Sequence, residues 1–178
     1  MIAFLTTVYS PMPRGGQDSP LKPARQSNPA SRYGVPRYRV TLVREGHALP
    51  AAESVQTSEG AARILRPLFA GLDREQFLIC GLDAKHGLIG INVVSTGSLT
   101  LAIVHPREVF KPLILMNAGA WICAHNHPSG DSTPSPEDRV LTKRLREAGD
   151  LFGIPLLDHL ILAEERYYSF ADQDWPGA

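Results

Sequence analysis

The sequence predicts an α/β fold, a mixed β-sheet with flanking helices, and three observations carry that expectation. Short apolar runs bounded by turn residues alternate with segments that carry helix caps and helix-stop signals. No internal repeat interrupts the alternation, which excludes a solenoid or a propeller. At 178 residues, 43% hydrophobic and 20% charged, the chain is long enough for one globular domain with a sizeable core.

The elements follow in order. Residues 10–36 are rich in Pro, Ser and Gly and have almost no apolar periodicity, so residues 1–36 are expected to be a disordered basic leader. Residues 37–54 are expected to supply a strand and a linker. In "RYRVTLVRE", Tyr38, Val40 and Leu42 alternate with Arg39 and Thr41. Ser58 is placed to cap a helix with Ala61, Ile64, Leu65 and Leu68 on one face, which Pro67 should kink or shorten. "EQFLICGLD" reads as a buried strand, "KHG" as a turn, and "LIGINVVSTG" and "SLTLAIVH" as further extended runs. "HPREVFKPLILMNAG" opens with proline in a first helical turn and stops at Gly119. "AWICAHNH" is a strand ended by Pro128. Ser135, Pro136, Glu137 and Asp138 then start a helix that runs to about Asp150, where "LFGIP" breaks it. "LLDHLILA" and "RYYSF" close the fold as a hairpin. The globular domain is therefore expected over residues 55–172, with 173–178 as a short tail.

The net charge of zero hides an asymmetry. Arg14, Lys22, Arg25, Arg32, Arg37, Arg39 and Arg44 face Asp18 alone up to residue 44, so the remainder is acidic. Such a leader can make weak contacts with nucleic acid, but it lacks the interleaved aromatics of a stacking surface and reads first as a solvated segment. The apolar opening Met1 to Val8 is too short to cross a bilayer and has no basic flank, so neither a signal peptide nor a membrane span is expected. Cys80 and Cys123 are the only cysteines; a chain of this size needs no disulfide staple, so reduced thiols and a cytoplasmic location are expected.

The chemistry concentrates in "AHNHPSGDSTPSPEDR", residues 124–139. Strand side chains alternate, so His125 and His127 project from one face about 7 Å apart at Cα, while Asn126 points away. Asp138 lies eleven residues after His127, in the first turn of a helix that the intervening loop can fold back over the strand end. Two imidazoles and one carboxylate make a three-ligand set that leaves a position open on a zinc ion. A His-x-His pair alone is weak evidence, since polar turns often contain histidine; Pro128, Ser135 and Asp138 at this register strengthen it. The literal H-N-H spelling does not make a nuclease, because in nucleases of that name the three residues are spread over a ββα unit.

"HNHPSGDSTPSPED" resembles the H-x-H-P-x(6)-S-x-x-D signature of the JAB/MPN metalloproteases, the JAMM motif, and within them the RadC-type group. "VHPREVFKPLI" and "GIPLLDHLIL" are similar to the same group, and the resemblance covers roughly residues 55–170. It implies a JAB/MPN, cytidine-deaminase-like architecture and one zinc ion per chain. His125, His127 and Asp138 would be the ligands, and Ser135 would both cap the helix and support a tetrahedral intermediate. It also implies a glutamate general base on an earlier strand. Glu75, fifty residues before His125, fits that place; Glu108 and Glu53 are its rivals, Glu108 standing at a helix start where an acid is favoured for capping alone.

The implied activity is hydrolysis of a peptide or isopeptide by zinc-activated water, with no substrate identified. The resemblance also brings a DNA-repair label and a helix-hairpin-helix segment ahead of the JAB domain. The first 36 residues are too short and Pro-rich for that segment, which leaves a nucleic-acid-associated accessory factor, as on mobile elements, as the alternative. A non-catalytic MPN interaction module is another, against which the intact ligand set argues. Of the remaining residues, Cys123 shares the face of His125 but reads as a small buried hydrophobe. Asp158 and His159 point to opposite faces, so either one of them supports a ligand histidine or the two form a satisfied polar pair at a strand edge. His47, His86 and His105 read as solvated, and Trp121, Phe110 and Leu113 as core.

Overall fold

The computed structural model describes residues 36–43, 45–46, 55–97, 104–173 and 175. The chain divides into two units, Met1–Arg39 and Val40–Ala178. Of the first, only residues 36–39 are described, and they are exposed and carry no regular secondary structure. The second holds helix α1 (Ser58–Phe69), strands β1 (Gln76–Leu82) and β2 (Leu88–Thr96), helix α2 (Pro106–Leu115), strand β3 (Ala120–Asn126), helix α3 (Pro136–Phe152) and strands β4 (Leu156–Leu162) and β5 (Tyr167–Ser169). The five strands form one mixed sheet in the order β2-β1-β3-β4-β5. Only the β3–β4 pair is parallel, and α3 makes the crossover between them.

The period-2 alternation of β1 and β3 sorts their side chains into two layers. Leu78, Cys80, Leu82, Ala120, Ile122 and Ala124 pack under α1 through Ala61, Ala62, Leu65 and Phe69. Phe77, Ile79, Trp121 and Cys123 turn the other way, against Val109, Phe110 and Leu113 of α2 and Leu145 of α3. With helices on both faces, β3 is buried along its whole length. One irregularity interrupts the β3–β4 ladder: Trp121 pairs with Leu156 but Ile122 pairs with Asp158, so Leu157 is an extra residue.

The structure departs from the sequence reading in four places. Residues 37–43 form no strand: Tyr38, Val40 and Leu42 are exposed, as are Arg39 and Thr41, so neither row of the alternation buries anything. Thr57, not Ser58, caps α1, its side chain accepting from the Gly60 amide at 3.0 Å. Pro67 falls in the last turn of α1 and does not break it. Helix α2 ends at Leu115 rather than at Gly119, because Asn117 takes the left-handed conformation (φ 54°) that an Asn tolerates. Helix α3 runs to Phe152 and stops on Gly153, left-handed (φ 67°), inside the "LFGIP" segment read as its end. The expected run over 98–105 lies mostly outside the described residues, as do the leader, Glu53 and His47.

The descent of α3 into β4 is tight. Trp121 Nε1 donates to the Ile154 carbonyl at 3.0 Å, and a Cβ built on Gly149 would stand 2.7 Å from that same oxygen. A backbone oxygen inside a packed turn cannot retreat cheaply. Gly149→Ala is therefore expected to destabilise the fold by about 1–3 kcal/mol, read as a lowered midpoint in urea unfolding.

Candidate metal centre

The centre is assembled where β3 runs out and α3 begins. His125 is the last odd-numbered residue of β3 and so faces the α2/α3 layer, its ring stacked 6.1 Å from that of Phe77. His127 follows two residues later, and its backbone N–H still donates to Leu162 of β4 at 2.9 Å. The loop then turns at Gly130, where φ is +82° and a side chain would be strained. Asp131 organises this loop twice over. Its carboxylate accepts from the Thr133 amide (2.9 Å) and hydroxyl (2.7 Å), and its carbonyl accepts from His127 Nδ1 at 2.7 Å.

Asp138 arrives as the third residue of α3 within a capping box. The Ser135 amide and hydroxyl donate to Asp138 Oδ2 at 2.8 and 2.7 Å, and the Asp138 amide donates back to Ser135 Oγ at 3.1 Å. The capped carboxylate is thereby held against both imidazoles, with Oδ1 3.3 Å from His125 Nε2 and Oδ2 3.6 Å from His127 Nε2. The two Nε2 atoms are 3.1 Å apart. Burial opposes ionisation of Asp138, but the imidazoles of His125 and His127 and the Ser135 hydroxyl outweigh it and hold the carboxyl well below the usual carboxylate range. Hydrogen bonding to Asp138 against the cost of burial, with the Asp131 carbonyl assisting, raises the pKa of His127.

These separations test whether a metal fits. Zinc bonds of about 2.0–2.1 Å in a tetrahedron set donor atoms about 3.3–3.4 Å apart. The two Nε2 atoms stand 3.1 Å apart, and the Asp138 carboxylate comes within 3.3 Å of His125 through Oδ1 and within 3.6 Å of His127 through Oδ2. Among the described residues, His125, His127 and Asp138 are the group of metal-binding type whose ligand atoms converge in this way. The donor set is one zinc accepts. The three residues fit the ion.

The other sequence candidates fall into place around this triad. Glu75 is half-buried immediately before β1, at the position that faces His127 if the Phe77–His125 register is continued, and its charge contributes to raising the His127 pKa. Its backbone is clamped by Asn126, whose Oδ1 accepts from the Gln76 amide at 2.8 Å while Nδ2 donates to the Arg74 carbonyl at 3.1 Å. The residue between the two histidines thus holds the segment that carries Glu75, a role no sequence signal announced. Glu108 is half-buried on α2 and pairs with Lys111 (2.9 Å) and Arg107 (3.1 Å). Cys123 lies one layer deeper than His125, with Sγ 3.9 Å from the Asp158 carbonyl, and burial pushes its thiol up; it stands apart from the triad. Cys80 is likewise buried and free. His105 caps α2, accepting from the Arg107 amide at Nδ1, and His86 is exposed in the β1–β2 turn.

Of the pair on β4, His159 faces the centre. Its Nε2 is 2.9 Å from His125 Nδ1 and its Nδ1 is 2.6 Å from Thr142 Oγ1. Full burial lowers the pKa of His159 far enough to keep it neutral. Asp158 instead closes the β4–β5 hairpin, accepting from Ser169 Oγ (2.8 Å) and the Ala171 amide (3.0 Å). Burial raises its pKa from 3.8 to about 6 against those two donors. The folded state therefore keeps a proton that the unfolded chain has already lost, and this contribution fades as pH rises from about 4 to about 6. Up to about 3 kcal/mol is at stake. In urea titrations at stepped pH, the native chain should lose stability across that window relative to Asp158→Asn; parallel curves would contradict the assignment.

Comparison with known proteins agrees with this geometry. Residues 55–175 match the RadC-like JAB domain family. A UPF0758 protein of Symbiobacterium thermophilum is 51% identical over 109 residues, 61% of this chain and 47% of that protein. One from Moorella thermoacetica is 52% identical over 103 residues, 58% of this chain and 45% of the relative. One from Listeria monocytogenes is 42% identical over 121 residues, 68% and 54% respectively. The chain thus spans about half the length of the curated relatives it matches, and their printed names specify no activity. By the match of residues 55–175 and the five-stranded mixed sheet with its flanking helices, this chain belongs to the RadC-like JAB domain family.

Proposed function

We propose that the chain is a zinc-dependent metallohydrolase of the JAMM type that cleaves a peptide or isopeptide bond. The observation that carries this reading is the convergence of His125 Nε2, His127 Nε2 and the Asp138 carboxylate at the spacing of a tetrahedral centre. A bound zinc ion supplies Lewis acidity and lowers the pKa of a coordinated water to about 7. The protein's own groups do the rest. The Glu75 carboxylate, whose charge reaches His127, takes a proton from the attacking water and returns it to the leaving amine. The Ser135 hydroxyl, whose proton lies on Asp138 Oδ2, stands where it can turn to a developing oxyanion. Asn126 keeps the backbone on both sides of Glu75 fixed, so the base is offered from a rigid strand end.

Purified native protein should contain or take up about one zinc per chain, and a chain that stays empty on titration refutes the hydrolase reading. On a panel of fluorogenic peptide and isopeptide substrates, His127→Ala should lose both zinc and activity. Glu75→Gln should keep its zinc yet slow cleavage by about 100-fold or more. Full activity in Glu75→Gln would remove Glu75 from the mechanism.

A further inference from the structure

We infer that Thr142 and His159 are positioning residues that hold the His125 ring through its Nδ1–H, so that Nε2 is the atom it presents to the metal position. The inference rests on the metal-centre reading above and extends it to two residues outside the ligand set.

The direction of every proton in the chain can be worked out from the far end. Thr142 has one hydroxyl proton, and it goes to the Asp138 carbonyl at 2.6 Å, since a carbonyl can only accept. At its second contact, 2.6 Å from His159 Nδ1, the hydroxyl oxygen must then accept, so His159 carries its proton on Nδ1. The His159 ring is neutral and fully buried, held between Phe170, stacked 5.2 Å away, and Phe77, edge-on at 5.5 Å. With Nδ1 protonated, its Nε2 offers a lone pair, and His125 Nδ1 must donate to it across 2.9 Å. His125 is thereby held at Nδ1, with Nε2 facing the triad. His127 is held by a shorter route, because its Nδ1–H donates to the Asp131 carbonyl.

The ligand histidines are thus set by independent devices, one through the loop and one through α3 and β4. The second begins at the backbone of Asp138, the third ligand, so the helix that delivers the carboxylate also orients the imidazole opposite it. Without the Thr142 hydroxyl, His159 loses the acceptor that dictates its tautomer. It can then place its proton on Nε2, which removes the acceptor that holds His125 Nδ1 and frees the ring to turn.

The test uses the full chain and zinc alone. Zinc dissociation constants are measured by chelator competition for the native protein, Thr142→Val and Thr142→Ser. Thr142→Val should bind about 10- to 100-fold more weakly, and Thr142→Ser, which restores the hydroxyl, should return to within a few-fold of native. Long-range 15N–1H correlation spectra of the metal-free native chain should show His125 and His159 protonated at Nδ1. Equal zinc affinity in native and Thr142→Val overturns the inference while leaving the metal centre standing. So does a His159 protonated at Nε2 in the native spectrum, which needs no folded variant. A native chain that takes up no zinc overturns the metal centre, and the inference with it.

Discussion

The carboxylate of Asp138 is the group on which the centre depends, because it belongs to two structures at once. As the third residue of α3 it takes protons from the Ser135 amide and hydroxyl, closing the helix end. As the partner of His125 and His127 it completes the donor set. Neither use competes with the other, since a carboxylate has about four lone-pair positions to share. The helix dipole favours the negative charge at this end, and the cap fixes its rotamer. Helix start and ligand position are therefore one geometric decision, made locally by Ser135-Pro136-Glu137-Asp138.

The remaining ligands are fixed by the sheet. His125 faces the α2/α3 layer for the same reason that Phe77, Ile79, Trp121 and Cys123 do, and the layer's packing holds that face in register. A one-residue slip of β3 would send His125 under α1 and Ala124 toward α3. The burial of β3 on both faces makes such a slip costly, so core packing and ligand placement share one constraint. Asn126, on the alternate side, turns its amide along the strand end to the neighbouring β1 and uses the same register to place Glu75.

How much of this was legible in the sequence follows from how local each feature is. The Ser135 cap, the two-residue spacing of the histidines and the buried runs of β1 and β3 are read from a few adjacent residues, and they stand in the structure as read. The strand read at residues 37–45 was equally local but rested on alternation alone, and the exposed Tyr38, Val40 and Leu42 show that alternation needs a surface to bury against. His159 was open to either reading because its facing depends on how β4 aligns with β3, a relation across α3. Thr142 gave no signal at all: a threonine in mid-helix means nothing until the strand opposite it is known. Asn126 was correctly turned away from the ligand face, but its target, the backbone of residues 74 and 76, lies fifty residues upstream.

The extra residue at Leu157 has a consequence for the charge of the centre. Were the β3–β4 ladder regular, Asp158 rather than His159 would stand beside Cys123 and reach toward His125. The bulge exchanges that anion for a neutral ring and sends Asp158 to the β5 hairpin, where Ser169 and the Ala171 amide receive it. A divalent ion held by His125, His127 and Asp138 then meets one negative ligand and no second carboxylate behind the imidazole. With Asp138 as the one anionic ligand, such an ion would keep positive charge for whatever occupies the open position. One residue of surplus backbone, on the strand beside the one that leads into the motif loop, sets how strongly the centre can pull on electrons.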